Sequence, residues 1–408
     1  MLSRSIIDAF IPLMLNSEDA NANCAGNLSI PKLKKDDLIA LMENTYKIFK
    51  DEPTLHYLSG DFIIVGDLHG NLRDLLRIFN DLGTPANQRY IFMGDYVDRG
   101  DLSVEVVVLL LSYKIAYPDN VYMIRGNHEF ESINEYYGFK SQVLQQYDDE
   151  VFDFFNKVFA YLPIAAVVNN KYFLVHGGIS PKLQTLEQIS NLKRPISSFT
   201  EGDHHELICD LVWSDPSHAN YFYCPNPRGY GVYFGVEAAF NFLTTNKLYG
   251  IIRAHQCIDT GVEELFGGRV ITVFSSSYYS PFPPNAMGAI LINDLEAKPV
   301  IYKPLPHFQK QYSEYKCVQV EETVPLCLRR LGSGMLSKGP AIRSRSKSLK
   351  IRQNSLIIEP SDSFKLQKKI TIYKSSTDIK MHSSSSMDQL SINEHKNSSL
   401  TASSILIE

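Results

Sequence analysis

The residue pattern points to an α/β fold in which two β-rich layers are flanked by helices. Three observations carry this. Strand-like and helix-like stretches alternate through residues 57–304. From Ile164 onward the alternation gives way to strands joined by tight turns. Five short clusters rich in Asp, His, Asn, Arg and Gly each follow an apolar, β-branched stretch, and the ends of buried strands are where such folds commonly place their chemical groups.

Residues 1–15 are apolar with Arg4 near the start, but Asp8 and Pro12 interrupt the run a signal peptide needs, even with Ala20-Asn21-Ala22 following. A short amphipathic helix capped by Ser5 is the expected structure. The whole of 1–56 reads as a helical segment, with Leu38, Leu41, Ile48 and Phe49 forming an apolar stripe ahead of the first strand. Phe62-Ile63-Ile64-Val65 is then a buried strand, and Leu72, Leu75, Leu76 and Phe79 mark one helix face. Tyr90-Ile91-Phe92-Met93, a helix over 104–115 and Val121-Tyr122-Met123-Ile124 complete a β–α–β–α–β order, which predicts parallel pairing with right-handed crossovers. Beyond Ile164, strands are expected at 165–168 and 172–175 around Asn169-Asn170, then at 250–253, 269–274, 289–292 and 300–302. The division expected is a helical segment over 1–56, a catalytic domain over 57–304, a connecting segment over 305–330 and a tail over 331–408.

A chain of 408 residues that is 44% hydrophobic, with 23 Tyr and 22 Phe, has the composition of a globular protein. Six Cys (24, 209, 224, 257, 317, 327) show no C-x-x-C pair and no regular framework, which suits free thiols in a reducing compartment, cytoplasmic or nuclear. The longest apolar run, 104–111, already contains Glu105 and falls short of the roughly 18 residues a bilayer span requires, so no membrane insertion is expected. The tail holds twelve Lys and Arg against six Asp and Glu, a net of +6 that leaves −11 for residues 1–330. It is rich in Ser, with Ser383 to Ser386 in one run, and disorder is its default. Arg352-Gln353-Asn354-Ser355-Leu356 places basic residues ahead of a serine, as a kinase target would.

The clusters are Gly66-Asp67-Leu68-His69-Gly70, Gly94-Asp95-Tyr96-Val97-Asp98-Arg99-Gly100, Arg125-Gly126-Asn127-His128-Glu129, His176-Gly177-Gly178 and Arg253-Ala254-His255. Hydrolysing a phosphate ester calls for two divalent ions about 3.5–4 Å apart, which acidify a water and clamp the attacking and leaving oxygens. Asp67 and His69, one residue apart, can turn to one ion; Asp95 is the natural bridge; Asn127, His176 and His255 complete the second. Carboxylate, amide and imidazole ligation suits Mn, Fe or Zn rather than Ca, and the lack of thiolates argues against structural zinc. His128, next to Asn127, is placed to protonate the leaving alkoxide, and Asp98 can accept its other ring N–H. Arg99 and Arg228 are candidates for bidentate phosphate contacts. By contrast His56 reads as a core histidine, and His204, His205 and His218 as solvated loop residues.

Each motif alone is weak; together and in order they are specific. Other routes lack their residues. No Cys precedes Arg by six positions, and neither a Gly-x-Ser-x-Gly elbow nor a Gly-x-x-x-x-Gly-Lys-Ser/Thr loop is present. Gly229, Gly231 and Gly235 are wrongly spaced for a dinucleotide fingerprint.

These motifs resemble those of the phosphoprotein phosphatases, the metal-dependent serine/threonine protein phosphatases that include types 1 and 2A and calcineurin. The resemblance spans residues 30–302. It extends to Tyr136-Tyr137-Gly138-Phe139, Leu211-Val212-Trp213-Ser214-Asp215-Pro216, Arg228-Gly229 with Phe234-Gly235, and Phe274-Ser275. It implies a calcineurin-like metallophosphoesterase architecture, a central β-sandwich of two mixed sheets flanked by helices. It implies metal ligation by Asp67, His69, Asp95, Asn127, His176 and His255, with His128 as proton donor aided by Asp98. Phosphate contacts are implied for Arg99, Asn127 and Arg228, and direct attack by a metal-bridging water without a phosphoenzyme. The cofactors implied are two divalent metal ions, Mn2+ in vitro and Fe/Zn or Mn in the cell. The partners implied are phosphoprotein substrates and regulatory subunits or inhibitor proteins, with no nucleic acid. Where the family reads Phe-Ser-Ala-Pro-Asn-Tyr, this chain has Phe274-Ser275-Ser276-Ser277-Tyr278-Tyr279. Tyr279 aligns with the cleft tyrosine beside the phosphate, while the shape of its loop stays open. Two alternatives remain at this stage: a dinucleoside polyphosphate hydrolase on the same scaffold, and a catalytically silent scaffold whose tail does the work.

Overall fold

Val, Ile and Phe fill the short strands Phe62–Val65 and Tyr90–Phe92, and every residue of both is buried. Such unbroken apolar runs belong to strands covered on both faces. In the computed structural model of the chain, which describes residues 1–14, 28–218, 222–294, 296–305 and 313–320, these strands lie centrally in a five-stranded sheet. Its order is Ala297–Tyr302, Met287–Ile292, Phe62–Val65, Tyr90–Phe92, Val121–Met123. The last three pair in parallel, as their β–α–β–α–β order predicts. Met287–Ile292 runs antiparallel to both its neighbours, which makes the sheet mixed.

A second, six-stranded sheet runs Val262–Leu265, Val270–Val273, Gly250–Arg253, Tyr172–Val175, Ala165–Val168, Leu55–Leu58. Gly250–Arg253 is parallel to both neighbours, while Ala165–Val168 turns back antiparallel into Tyr172–Val175. Asn169 and Asn170 make that turn at φ 56° and 50°, the paired left-handed conformation that two-residue hairpins favour and asparagine tolerates. The sheets face each other. Ile64, Ile91 and Ile124 from the first meet Leu174, Ile252 and Val273 from the second in one buried cluster.

Helices seal the outer faces. Ser103–Ala116 is buried at every position from Ser103 to Lys114, because the helices Leu2–Phe10 and Lys35–Asp51 cover its far side. On the other sheet His205–Trp213 and Val236–Thr245 bring Leu211, Val212, Ala239 and Phe242 onto Phe173 and Val175. Among the described residues no helix is long and apolar enough to cross a membrane. Cys209, Cys224, Cys257 and Cys317 are free.

Several local expectations need correction. Residues 1–56 are not wholly helical: Leu28–Lys32 pairs in parallel with Ser313–Cys317, and Leu55–Leu58 is an edge strand that precedes Phe62–Val65. Both are short and carry no alternating pattern of their own. Ser5 is not the cap of its helix; Met1 is, and the Ser5 hydroxyl returns to the Met1 carbonyl at 3.4 Å. In Lys35–Asp51 the buried stripe runs through Met42 and Thr45, leaving Ile48 half-buried. His205 opens a helix instead of lying in a loop. Val262–Leu265 and the small sheet of Asp215–Pro216, Tyr223–Pro225 and Val232–Phe234 went unforeseen. Cys24, Cys327, the phosphosite around Ser355 and the whole tail over 331–408 lie outside the described residues.

One buried charge is decisive for stability. Lys114 is fully buried, and its ammonium donates to Glu52 Oε1 at 2.5 Å, Val121 O at 2.6 Å and Pro118 O at 3.1 Å. Burial alone would raise the Glu52 carboxyl, but His56 and Lys114 together hold it below its ordinary range. His56 is buried as expected, edge-on to Tyr122. Removing one partner strands the other's charge in the core. Glu52→Ala is therefore expected to lose about 3–5 kcal/mol in a guanidinium unfolding titration; a loss under about 1 kcal/mol would show that carbonyls alone satisfy Lys114.

Candidate metal centre

The five clusters meet where the strand ends of both sheets converge. Asp67 follows Phe62–Val65, Asp95 follows Tyr90–Phe92 and Asn127 follows Val121–Met123; His176 and His255 follow Tyr172–Val175 and Gly250–Arg253. His69, Asp95, Asp98, Arg99 and His255 all adopt positive φ, between 42° and 70°. Side chains hold that conformation only where surroundings over-determine it. Here they do: Asp95 O accepts the N–H groups of both Leu68 and His69. The loops of Asp95 and Asn127 also touch so closely that a Cβ at Gly126 would run into Asp95, and one at Gly94 into the Gly126 backbone.

Asp95 sits at the middle. Its Oδ2 lies 3.6 Å from His69 Nε2 and 4.0 Å from His128 Nε2. Its Oδ1 lies 3.3 Å from His176 Nε2 and accepts the His128 backbone N–H at 3.0 Å. The donor atoms thus fall into two groups that share Asp95, one with His69 and His128, the other with His176 and His255. Asp67 spans both: Oδ2 is 3.8 Å from His69 Nε2, and Oδ1 accepts the His255 N–H at 2.9 Å. Asn127 Oδ1 lies 2.9 Å from His176 Nε2, which is itself 3.2 Å from His255 Nδ1. Two backbone carbonyls set the ring orientations, Val97 O at 2.9 Å from His69 Nδ1 and Met93 O at 2.8 Å from His176 Nδ1. With Nδ1 donating, Nε2 of each ring turns a lone pair inward.

Protein atoms alone leave this cluster unsatisfied. Asp67 Oδ2 and His255 Nε2 are buried without a hydrogen-bond partner, a costly condition for polar atoms. Burial first, and then the adjacent Asp95 charge, push the Asp67 carboxyl up to about 7. Burial, reinforced by His128, takes His69 down to about 3; burial and Arg228 hold His255 well below its usual range. His69 and His255, neutral beside crowded carboxylates and with donor atoms unspent, offer what divalent cations need, while the Asp95 charge outweighs burial and pushes His176 up to about 9, a proton that a bound cation would displace. The histidines and aspartates are positioned to bind metal.

The other expected residues surround this cluster. His128 Nδ1 bonds Asp98 Oδ2 at 2.7 Å, and Asp98 Oδ1 accepts the Phe139 N–H, which fixes the carboxylate. Arg228 Nε is held by Asp215 Oδ2 at 2.7 Å, which leaves its terminal nitrogens available. Asp215 in turn binds the buried Arg253, itself anchored on the Gly177 and Ser214 carbonyls. Arg99 is exposed and lies over the Tyr137 ring at 4.4 Å. Tyr279 stacks on His69 with ring centroids 5.1 Å apart. Its loop, left open by the sequence, is shaped by neighbours: Asp74 Oδ2 accepts the Ser277 N–H at 2.6 Å, and Asn285 Nδ2 donates to Ser276 O at 2.8 Å.

Two functional supports went unassigned in the sequence. Glu129, fully buried, accepts the N–H groups of Asp95, Tyr96 and Gly126 and so clamps two ligand-bearing loops together. Its place in Gly126-Asn127-His128-Glu129 was visible, its role was not. Trp213 stands edge-on to His255 at 5.4 Å.

The model of the calcineurin-like phosphoesterase family matches residues 60–259. A protein serine/threonine phosphatase from Saccharomyces cerevisiae, with similarity to human phosphatase PP5, superposes with a TM-score of 0.63 at 30% identity, over 67% of this chain and 91% of that one. A cold-active protein-tyrosine phosphatase of a Shewanella species gives 0.46 at 16% identity, over 63% and 84%. A putative diadenosine tetraphosphatase gives 0.37 at 16%, over 62% and 99%. The family model over the ligand-bearing strands, together with the yeast phosphatase matched over nearly its full length, makes this chain a member of the calcineurin-like phosphoesterase family, of the phosphoprotein phosphatase kind.

Proposed function

We propose that the chain is a serine/threonine protein phosphatase that hydrolyses phosphoserine and phosphothreonine esters in proteins. The observation that carries this reading is the placement of Asp95 between two histidine sets, with the His128–Asp98 pair adjoining. Asp67, His69 and Asp95 would hold one divalent cation, and Asp95, Asn127, His176 and His255 a second. Bound there, two such cations would supply positive charge to the phosphate and make a water acidic enough to attack at neutral pH.

The chain's own residues do the rest. Asp98, bound to His128 Nδ1, keeps the ring oriented so that Nε2 can give a proton to the departing serine or threonine oxygen. Arg228, steered by Asp215, and Arg99 would pair with the non-bridging phosphate oxygens. Tyr279 would wall the phosphate on the His69 side. The yeast relative's activity and the exposed Tyr137 and Tyr230 beside the cluster support a protein substrate. The same reading makes 57–304 the catalytic domain with 1–56 packed on it, and the free thiols suit an intracellular setting.

The test uses the purified full chain, stripped with a chelator and reloaded with Mn2+. Phosphate release from a phosphoserine peptide is expected with Mn2+ and absent without it. No release, or faster cleavage of diadenosine tetraphosphate than of the peptide, would overturn the assignment.

A further inference from the structure

An open cavity of about 520 Å³, within the usual size range of small-molecule sites, is lined by residues none of which belongs to the metal cluster. Its innermost residue is Arg125, 2% exposed. The guanidinium stacks on Phe130 and donates from Nε and Nη2 to Glu129 O and from Nη1 to Ile196 O. A guanidinium has five N–H groups, so two remain beyond these three bonds. Among the described residues no carboxylate comes within the 4.0 Å of an ion pair; Glu129, the acid whose charge it feels, spends its oxygens on backbone N–H groups. A buried cation normally keeps a counter-charge, and Arg125 lines this cavity.

The walls narrow the choice of ligand. Tyr46 and Tyr161 meet edge-to-face at 4.9 Å and offer an aromatic surface, with the Lys157 ammonium 5.1 Å from the Tyr46 ring. Asn156 adds an amide. Glu131 and Asp153, both exposed, stand at the rim and repel multiply charged anions. We propose that this cavity binds a small monocarboxylate with an aromatic body, its carboxylate on Arg125 and its ring against Tyr46 and Tyr161.

The site is wired to the centre by two routes. Arg125 holds the Glu129 carbonyl, and the Glu129 carboxylate holds the Asp95 backbone. Asn156 bonds Asn134, which bonds the His128 carbonyl. Both routes tie the cavity wall to the residues that carry Asp95 and His128. Binding itself does not depend on the phosphatase reading.

The experiment titrates benzoate into the full chain and follows ligand resonances by NMR, with saturating inorganic phosphate present to keep the probe off the metal cluster. Benzamide and terephthalate are run in parallel, and the comparison protein is Ser197→Trp, which blocks the mouth from an exposed rim position. Benzoate is expected to bind, benzamide and terephthalate at least about tenfold more weakly, and Ser197→Trp to weaken benzoate by a similar factor while its phosphatase rate without benzoate is unchanged. Equal binding of benzoate and benzamide, displacement by phosphate, no binding at all, or binding indifferent to Ser197→Trp would each overturn the proposal. The melting temperature of Ser197→Trp, expected to match the parent, separates blockage from unfolding.

Discussion

Asp95→Asn is expected to abolish turnover and metal retention together. Both oxygens of Asp95 are in use, Oδ2 facing His69 and His128, Oδ1 facing His176. The replacement keeps the shape but loses one negative charge and turns one of those atoms into a donor. The two groups of donor atoms then lose the carboxylate common to both. A fall in kcat of at least about 10³-fold, equivalent to ~4 kcal/mol of transition-state stabilisation, is the expected size. Metal analysis of the purified variant should find fewer than two equivalents. A variant that holds its metals and turns over within about tenfold of the parent, a loss of ~1.4 kcal/mol, would remove Asp95 from the centre of the mechanism.

His128→Asn separates proton donation from metal binding through the leaving group. A phosphoserine alkoxide departs poorly without a proton, whereas p-nitrophenolate departs unaided. The variant should therefore lose about 10²–10⁴-fold on a phosphoserine peptide, the usual range for a positioned acid. On p-nitrophenyl phosphate it should lose far less. Asp98→Asn is expected to follow the same pattern more mildly, since the acid itself remains and what is lost is its orientation and, after that of Asp95, part of the negative charge that raises it. Equal losses on both substrates would mean that His128 acts as a ligand or a structural group, and its 4.0 Å approach to Asp95 Oδ2 gives that outcome a definite structural form.

The site was legible because its parts are local. Each ligand stands within a few residues of the end of an apolar strand, so Phe62–Val65 announces Asp67 and Tyr90–Phe92 announces Asp95. Hydrophobic runs also fixed the layered architecture, with shifts of one to three residues at strand ends, as at Ala297–Tyr302. What stayed hidden depends on partners far away in sequence. The contact between Asp74 and Ser277 crosses 203 positions, and that between Asp215 and Arg253 crosses 38. No periodicity encodes either. Glu129 was hidden for another reason: its partners are backbone N–H groups, which every residue offers and no motif distinguishes. Leu55–Leu58 escaped because four residues with a half-exposed end resemble any connecting segment.

The parallel ladder between Leu28–Lys32 and Ser313–Cys317 bears on how the polypeptide is made. Its first strand emerges from the ribosome early and finds no mate until nearly 290 further residues have been synthesised. Throughout that interval its backbone groups lack this partner, and the ladder can close only once Ser313–Cys317 has been made. Closure is then a late event in biogenesis, and a nascent chain halted before residue 313 lacks the partner of that early strand.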